Sequence, residues 1–242
     1  WIKYFHQKGN QGNQADEHGG RFMNCLLCGQ TTKCELTFSS LFLLKDDCSY
    51  LCLACASSFE KIGEKYCPNC MKTGVSNQCQ DCKLWCKEGV QVDHKAIFTY
   101  NQAMKDFFSQ YKFDGDFLLR KVFASVLAEE LKQYRGYQFV VIPLSPVRLL
   151  ERGFNQVEGL VEAAGFSFLD LLGKREEKAS SSKNRSERLA TEIPFFIKTE
   201  APLPKKILVI DDIYTTGATV NRVKRLFEEA GALDVKTFSL VR

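Results

Sequence analysis

No stretch of this chain is apolar for long enough to cross a bilayer, and its first residues lack the apolar core of a secretory signal. From these two absences we expect a soluble, cytoplasmic protein with no membrane insertion. A large charge surplus is missing too: 33 basic residues face 29 acidic ones, a net +4. Charge alone therefore does not mark a nucleic-acid binder, whose footprint is a clustered basic face. Cysteine is absent from residue 87 onward, although the chain has 11. All of them lie between Cys25 and Cys86. Without an export signal a disulfide-stapled secreted domain is disfavoured, and cysteines this dense point to metal binding.

What is present suits an ordinary globular core: 242 residues, 45% apolar and 12% aromatic. That length allows one large domain, or a medium domain with a small one. Residues 1–22 are rich in Gly, Asn and Gln without a period. They read as a disordered extension, with Met23 as the native start. Residues 23–92 are too short of apolar runs to fold without a staple. From residue 93 the texture changes to alternating strands and helices, which predicts an α/β domain with a parallel sheet. Strands are expected at 96–100, 138–142, 166–172, 194–198, 205–210 and 235–241. Helices are expected at 102–111, 116–134, 155–164 and 220–230, with a mobile loop at 174–188.

Four Cys-x-x-Cys pairs stand in the first part: Cys25/Cys28, Cys52/Cys55, Cys67/Cys70 and Cys79/Cys82. Each can present two thiolates to one metal from a tight turn, and two pairs complete a tetrahedral site. The spacing predicts two sequential structural zinc sites, Cys25/Cys28/Cys52/Cys55 and Cys67/Cys70/Cys79/Cys82, in a double zinc ribbon. A cross-braced pairing of first with third and second with fourth stays open. A thioredoxin-like redox pair would need a βαβ setting that this segment lacks. Cys34, Cys48 and Cys86 are left over and read as buried free thiols, with Cys48 able to compete as a ligand.

The strongest chemical signal follows the apolar run Ile207-Leu208-Val209-Ile210. It delivers Asp211 and Asp212 at its end, then Ile213-Tyr214, then Thr215, Thr216, Gly217, Ala218 and Thr219 before a helix. In open α/β sheets ligands bind at the carboxyl ends of strands. A short turn into a helix N-terminus gathers N–H groups and hydroxyls, which favours a phosphate. Carboxylates would repel a phosphate, but they suit ribose hydroxyls or a divalent cation held by oxygen. The alternative is a plain strand end with an aspartate cap and a threonine-rich turn.

This order of residues resembles the phosphoribosyl-diphosphate (PRPP) signature of type I phosphoribosyltransferases. The resemblance implies that Asp211 and Asp212 hold the ribose hydroxyls with magnesium nearby, and that residues 215–219 wrap the 5′-phosphate. It further implies that Leu144, Ser145, Arg148 and Arg152, after the strand at 138–142, form a diphosphate loop. Two exposed arginines on a helix start are the alternative. The run Arg152-Gly153-Phe154-Asn155-Gln156 narrows the likeness to the ComF family, whose parts occur in this order over residues 25–242. In that likeness residues 174–188, six basic and three acidic, form a hood over the ligand, with Arg188 as a phosphate contact. This stretch lacks the glutamine that relatives commonly carry there, so no residue is assigned to base recognition.

Three functional readings follow. The ComF likeness implies a role in natural transformation, in which the chain handles incoming single-stranded DNA with a helicase-like ATPase partner and binds PRPP or a related ribose phosphate. The signature also fits an active phosphoribosyltransferase with an unknown acceptor. The third reading is a DNA-binding zinc ribbon carrying a vestigial second domain.

Overall fold

A computed structural model of the chain describes residues 21–34, 50–176 and 194–242. It divides into two units, Trp1–Ser58 and Phe59–Arg242. In the first unit, β1 (Arg21–Asn24) pairs antiparallel with β2 (Thr31–Cys34), Arg21 opposite Cys34 and Asn24 opposite Thr31. The connecting turn carries Cys25 and Cys28 and closes through Cys25 N to Gln30 O (2.8 Å) and Gly29 N to Cys25 O (2.9 Å). Helix α1 (Leu53–Ser57) follows, with Cys52 as its N-cap.

The second unit opens with the same device. Cys67 and Cys70 sit on a turn closed by Met71 N to Cys67 O (2.8 Å). Cys79 then occupies the N-cap position of α2 (Gln80–Lys87). Both N-cap cysteines have the extended backbone that a cap requires, with ψ of 161° at Cys52 and 166° at Cys79. In each ribbon, then, one pair comes from a turn and the other from a helix start.

The remaining elements are β3 (His94–Phe98), α3 (Gln102–Lys112), a 3₁₀ turn (Phe117–Lys121), α4 (Ala124–Leu131), β4 (Gln138–Val141), α5 (Pro146–Arg152), α6 (Gln156–Ala163), β5 (Leu172–Lys174), β6 (Phe195–Ile197), β7 (Lys206–Ile213), α7 (Ala218–Glu229) and β8 (Asp234–Val241). The main sheet has the order β3-β8-β7-β4, and every neighbouring pair is parallel. This is the α/β parallel sheet that the alternating elements imply. β7 runs between β8 and β4, and Ile207, Leu208 and Val209 are wholly buried, as a strand covered on both faces requires. On α7 the buried residues Val220, Val223 and Phe227 keep helical spacing against this sheet. Each such side chain contributes about 1.5–3 kcal/mol by leaving water. Gly231 follows at φ 98°, just beyond the helix end that its position suggests.

Two expectations change, and one helix goes unforeseen. The segment 116–134 is not one helix. Phe123 leaves the helical row to join an aromatic cluster with Phe59, Phe98 and Phe107, at centroid distances of 5.0, 5.1 and 4.9 Å. The chain breaks there into the 3₁₀ turn and α4. The strand expected at 166–172 is instead β5 (172–174), which pairs antiparallel with β6 in a separate two-stranded sheet. Residues 166–169 lie along β4 without a ladder, through Leu169 N to Phe139 O (2.8 Å) and ring contact between Phe166 and Phe139. Helix α5 leaves no periodic trace because Val147, Leu149 and Leu150 are all exposed. Its signals are local: Ser145 as N-cap, Pro146 at the first turn and left-handed Gly153 at the end. The loop beyond residue 176 falls outside the described residues up to 193.

Candidate functional site

Strand β7 extends to Ile213, three residues beyond the apolar run, so Asp211 and Asp212 are still strand residues and point to opposite faces. Asp212 is buried and accepts two bonds at one oxygen. Lys112 Nζ at the end of α3 lies 2.5 Å from Oδ2, and Gln156 Nε2 at the start of α6 donates to it at 2.9 Å. Gln156 Oε1 in turn accepts from Arg152 Nη1. A continuous polar chain therefore runs Arg152–Gln156–Asp212–Lys112. Asp211 accepts from the Asp212 amide at 2.9 Å. Burial, and then the adjacent Asp212 charge, push its carboxyl up to about 8.

The run at 152–156 is built for this arrangement. Gly153 takes φ 80° and ends α5. Phe154 packs against Tyr111 and Phe117, with centroids at 5.3 and 4.9 Å. Asn155 caps α6 by accepting from Val157 N (2.9 Å), and its amide donates to Ile142 O (3.1 Å) at the end of β4. Gln156 is thereby delivered to Asp212.

After β7 comes the turn of residues 215–219. Thr215 and Thr216 are exposed, while Gly217 is buried with φ 80°. A Cβ on Gly217 would lie 2.2 Å from Tyr214 Oη and 2.6 Å from Asn221 Nδ2, so only glycine fits. The helix begins at Ala218, so Ala218 and Thr219 already form its first turn. Tyr214 is buried, its hydroxyl accepts from Asn221 Nδ2 (3.2 Å), and its ring lies 4.0 Å from that of His94.

The other predicted residues are less closely joined to this site. Ser145 is buried and spends its hydroxyl accepting from Arg148 N (3.5 Å). Leu144 is half-buried, and Arg148 is exposed on α5. The amide of Val147, in the first turn of α5, donates to Glu176 Oε1 (2.8 Å). Of the four residues read as a diphosphate loop, Arg152 is the one tied to the aspartates, through Gln156. Arg188 lies outside the described residues. A surface cavity lined by Tyr134, Arg135, Tyr137, Phe139 and Phe166 opens beside the first residue of β4. It lies at the amino end of β4, whereas the aspartates stand at the carboxyl end of β7, and it includes none of these groups.

The cysteines group sequentially, Cys25/Cys28/Cys52/Cys55 and Cys67/Cys70/Cys79/Cys82, with the four sulfurs of each set within 4.8 Å of one another. Each set can hold a metal ion, and the all-thiolate donors fit tetrahedral coordination. Cys67, Cys70, Cys79 and Cys82 are all buried, whereas Cys28 is exposed and Cys52 and Cys55 are half-buried. Burial would raise the Cys67 thiol, but the backbone amides of Cys79, Asn69 and Cys70 outweigh it and bring it down to about 7. Burial and the neighbouring Cys70 push Cys82 far up instead. Without a cation the four sulfurs cannot all ionise. Cys86, expected to be buried, is exposed in the last turn of α2 beside exposed Lys83, Leu84 and Lys87. Cys48 and the Cys34 side chain lie outside the described residues.

The phosphoribosyl transferase domain family matches residues 150–242, which contain α6, β7, the turn and α7. A curated competence protein ComFC of Streptococcus pneumoniae (strain ATCC BAA-255 / R6) is 77% identical over 91% of this chain and 100% of its own length. The chain belongs to the ComF family of competence proteins. A second ComFC, from Bacillus subtilis (strain 168), is 35% identical over 94% of this chain and 99% of its own. Competence protein F of Haemophilus influenzae (strain ATCC 51907 / DSM 11121 / KW20 / Rd) is 23% identical over 79% and 90%. No helix among the described residues of this ComF chain is long and apolar enough to cross a membrane.

Several participants left little mark in the sequence. Lys112 meets Asp212 across 100 positions and carries no local signal. Gln156 was visible only as the last residue of the family run, without a role. Trp85, whose indole N–H donates to Thr216 O (2.9 Å), Arg242, whose Nη1 donates to Thr215 O (2.5 Å), Tyr214 and His94 are recognisable only once the sheet brings them beside the turn.

Proposed function

We propose that this ComF chain acts in natural transformation, handling incoming single-stranded DNA with a helicase-like ATPase partner, and that its sheet domain binds PRPP or a related ribose phosphate. The observation that carries the ligand reading is the end of β7. Two carboxylates stand there beside a glycine-bent turn that opens into the N-terminus of a twelve-residue helix. Carboxylates accept from ribose hydroxyls, and the amides and hydroxyls at 215–219 donate to a 5′-phosphate. Arg152, and Arg148 one turn earlier, supply positive charge toward a diphosphate. Asp212 is already paired with Lys112. Asp211 is therefore the carboxylate that would hold magnesium, which would supply charge neutralisation for a bound diphosphate. Zinc in the two cysteine sets would be structural, since four thiolates leave no open position.

The relatives' name carries the competence reading. Catalysis is the second reading, favoured by the phosphoribosyl transferase match over residues 150–242. Transfer would displace diphosphate from C1 of the ribose, with positioning and charge neutralisation as the rate-giving terms. Calorimetry with PRPP and Mg²⁺ tests the binding claim. We expect saturable binding that Thr216→Ala weakens while the melting temperature stays unchanged. Absence of binding by the intact protein overturns the ligand reading. Diphosphate release with a base or nucleoside acceptor separates enzyme from binder.

A further inference from the structure

The backbone of the phosphate turn is held from behind by two side chains tied to the second cysteine set, Arg242 through Cys70 and Trp85 through the helix that carries Cys82. Arg242 is almost buried, its side chain 8% exposed. Its Nη1 donates to Thr215 O at 2.5 Å and to Tyr214 O at 3.3 Å. Its Nη2 faces Cys70 Sγ at 3.4 Å and Asp81 Oδ2 at 3.5 Å. Trp85, three residues after Cys82 on α2, donates its indole N–H to Thr216 O at 2.9 Å. The Tyr214 ring packs in the same buried cluster as Cys67, Cys70, Cys79 and Cys82, with the Arg242 guanidinium 4.8 Å from its centroid.

Three consecutive carbonyls, of Tyr214, Thr215 and Thr216, are thus all engaged from the cysteine side. A trans peptide unit points its N–H opposite to its C=O. Fixing these carbonyls aims the N–H groups of Thr215, Thr216 and Gly217 away from the cysteines. Those are the donors an anion at the turn would need.

We propose that the Cys67/Cys70/Cys79/Cys82 set is the anchor of the phosphate turn, so that metal occupancy there and anion binding at residues 215–219 strengthen one another. This rests on the ribose-phosphate reading for its ligand, but not for the mechanical coupling. The four sulfurs lie within 4.8 Å of one another, and a cation bound among them would let all four ionise and would hold them in one place. The metal therefore fixes Cys70 and the start of α2, and through them Arg242 and Trp85. Coupling between two sites is reciprocal. A bound anion that orders the turn must hold the metal more firmly in return.

The test uses the full zinc-loaded chain, with Trp85→Phe and Arg242→Met, which leave every cysteine in place. Hydrogen exchange of the 214–219 amides, calorimetry with ribose 5-phosphate, and zinc release to a chromogenic chelator are measured on each. Both variants should keep their full metal content and a protected β7 and β8, yet exchange faster at 214–219. Their affinity should fall on the order of ten-fold, and saturating ribose 5-phosphate should slow release of the buried zinc in the wild type. Unchanged turn exchange in both variants at full metal content overturns the coupling. Should the wild type bind no ribose 5-phosphate, the proposed ligand fails, and the exchange result alone still decides whether the metal set holds the turn.

Discussion

His94 shows how one side chain can set the pH response of the fold. Its ring is buried in β3 between the hydroxyls of Thr237 (2.9 Å) and Ser239 (3.0 Å) on β8. Burial first, then the positive charges of Arg242 and Lys95, hold its pKa well below 6.5. Below pH 6.5 the unfolded chain takes up a proton that the folded chain refuses, so stability falls as pH drops through that value. The wild-type melting temperature should decline from pH 7 to pH 5. His94→Gln, though less stable overall, should have a shallower decline, with the difference approaching one proton, about 1.4 kcal/mol per pH unit. Parallel slopes for the two proteins, in melts across that range, would refute this. Nothing in the sequence marks His94, because its partners are 143 and 145 positions away. Asp211 and Asp212 were legible for the opposite reason. Two acids placed directly after a buried apolar run need a ligand or a partner, and that requirement is local.

Among the elements, α6 matters most to the site, since its N-cap and first residue connect it to β4, α5 and β7. Asn155 caps α6, ties it to Ile142 after β4 and bonds Glu158 (3.1 Å). Gln156 then reaches Asp212 on β7. Asn155→Ala should cost about 1–3 kcal/mol through the lost cap and the orphaned Ile142 carbonyl, which is a fall of several degrees in melting temperature. Asn155→Ser keeps a cap acceptor but loses the donor to Ile142 O, so it should fall between the wild type and the alanine variant. An alanine variant as stable as the wild type would show that the cap is dispensable. The elements that the sequence revealed, β7 and α7 above all, have one face or both buried against the sheet, so their pattern is written in apolar residues. Helix α5, with its apolar residues exposed, and the break before α4, set by an aromatic cluster gathered from four segments, have no such pattern to read.

At the scale of the whole chain, two ribbons of the same design meet different surroundings. Spacing gave them equal standing, and it predicted their sequential grouping. What it could not give is burial, because the residues that bury the second set come from later in the chain. Cys67, Cys70, Cys79 and Cys82 share a core with Val140, Ile207, Val209 and Val223, whereas in the first set only Cys25 is fully buried. Metal leaves an exposed set by local opening, but a set inside a core leaves only when that core opens, at a free energy nearer the global one. Zinc release to excess chelator should therefore be biphasic, with two equivalents in total. The first equivalent should depart at least on the order of ten times faster than the second and leave the main melting transition in place. The second should depart together with a large fall in that transition, because the sheet domain then loses both its staple and the four thiolates' charge balance. Release of both equivalents in one phase, or loss of the second without any change in melting, would mean that the buried set is not part of the sheet domain's stability.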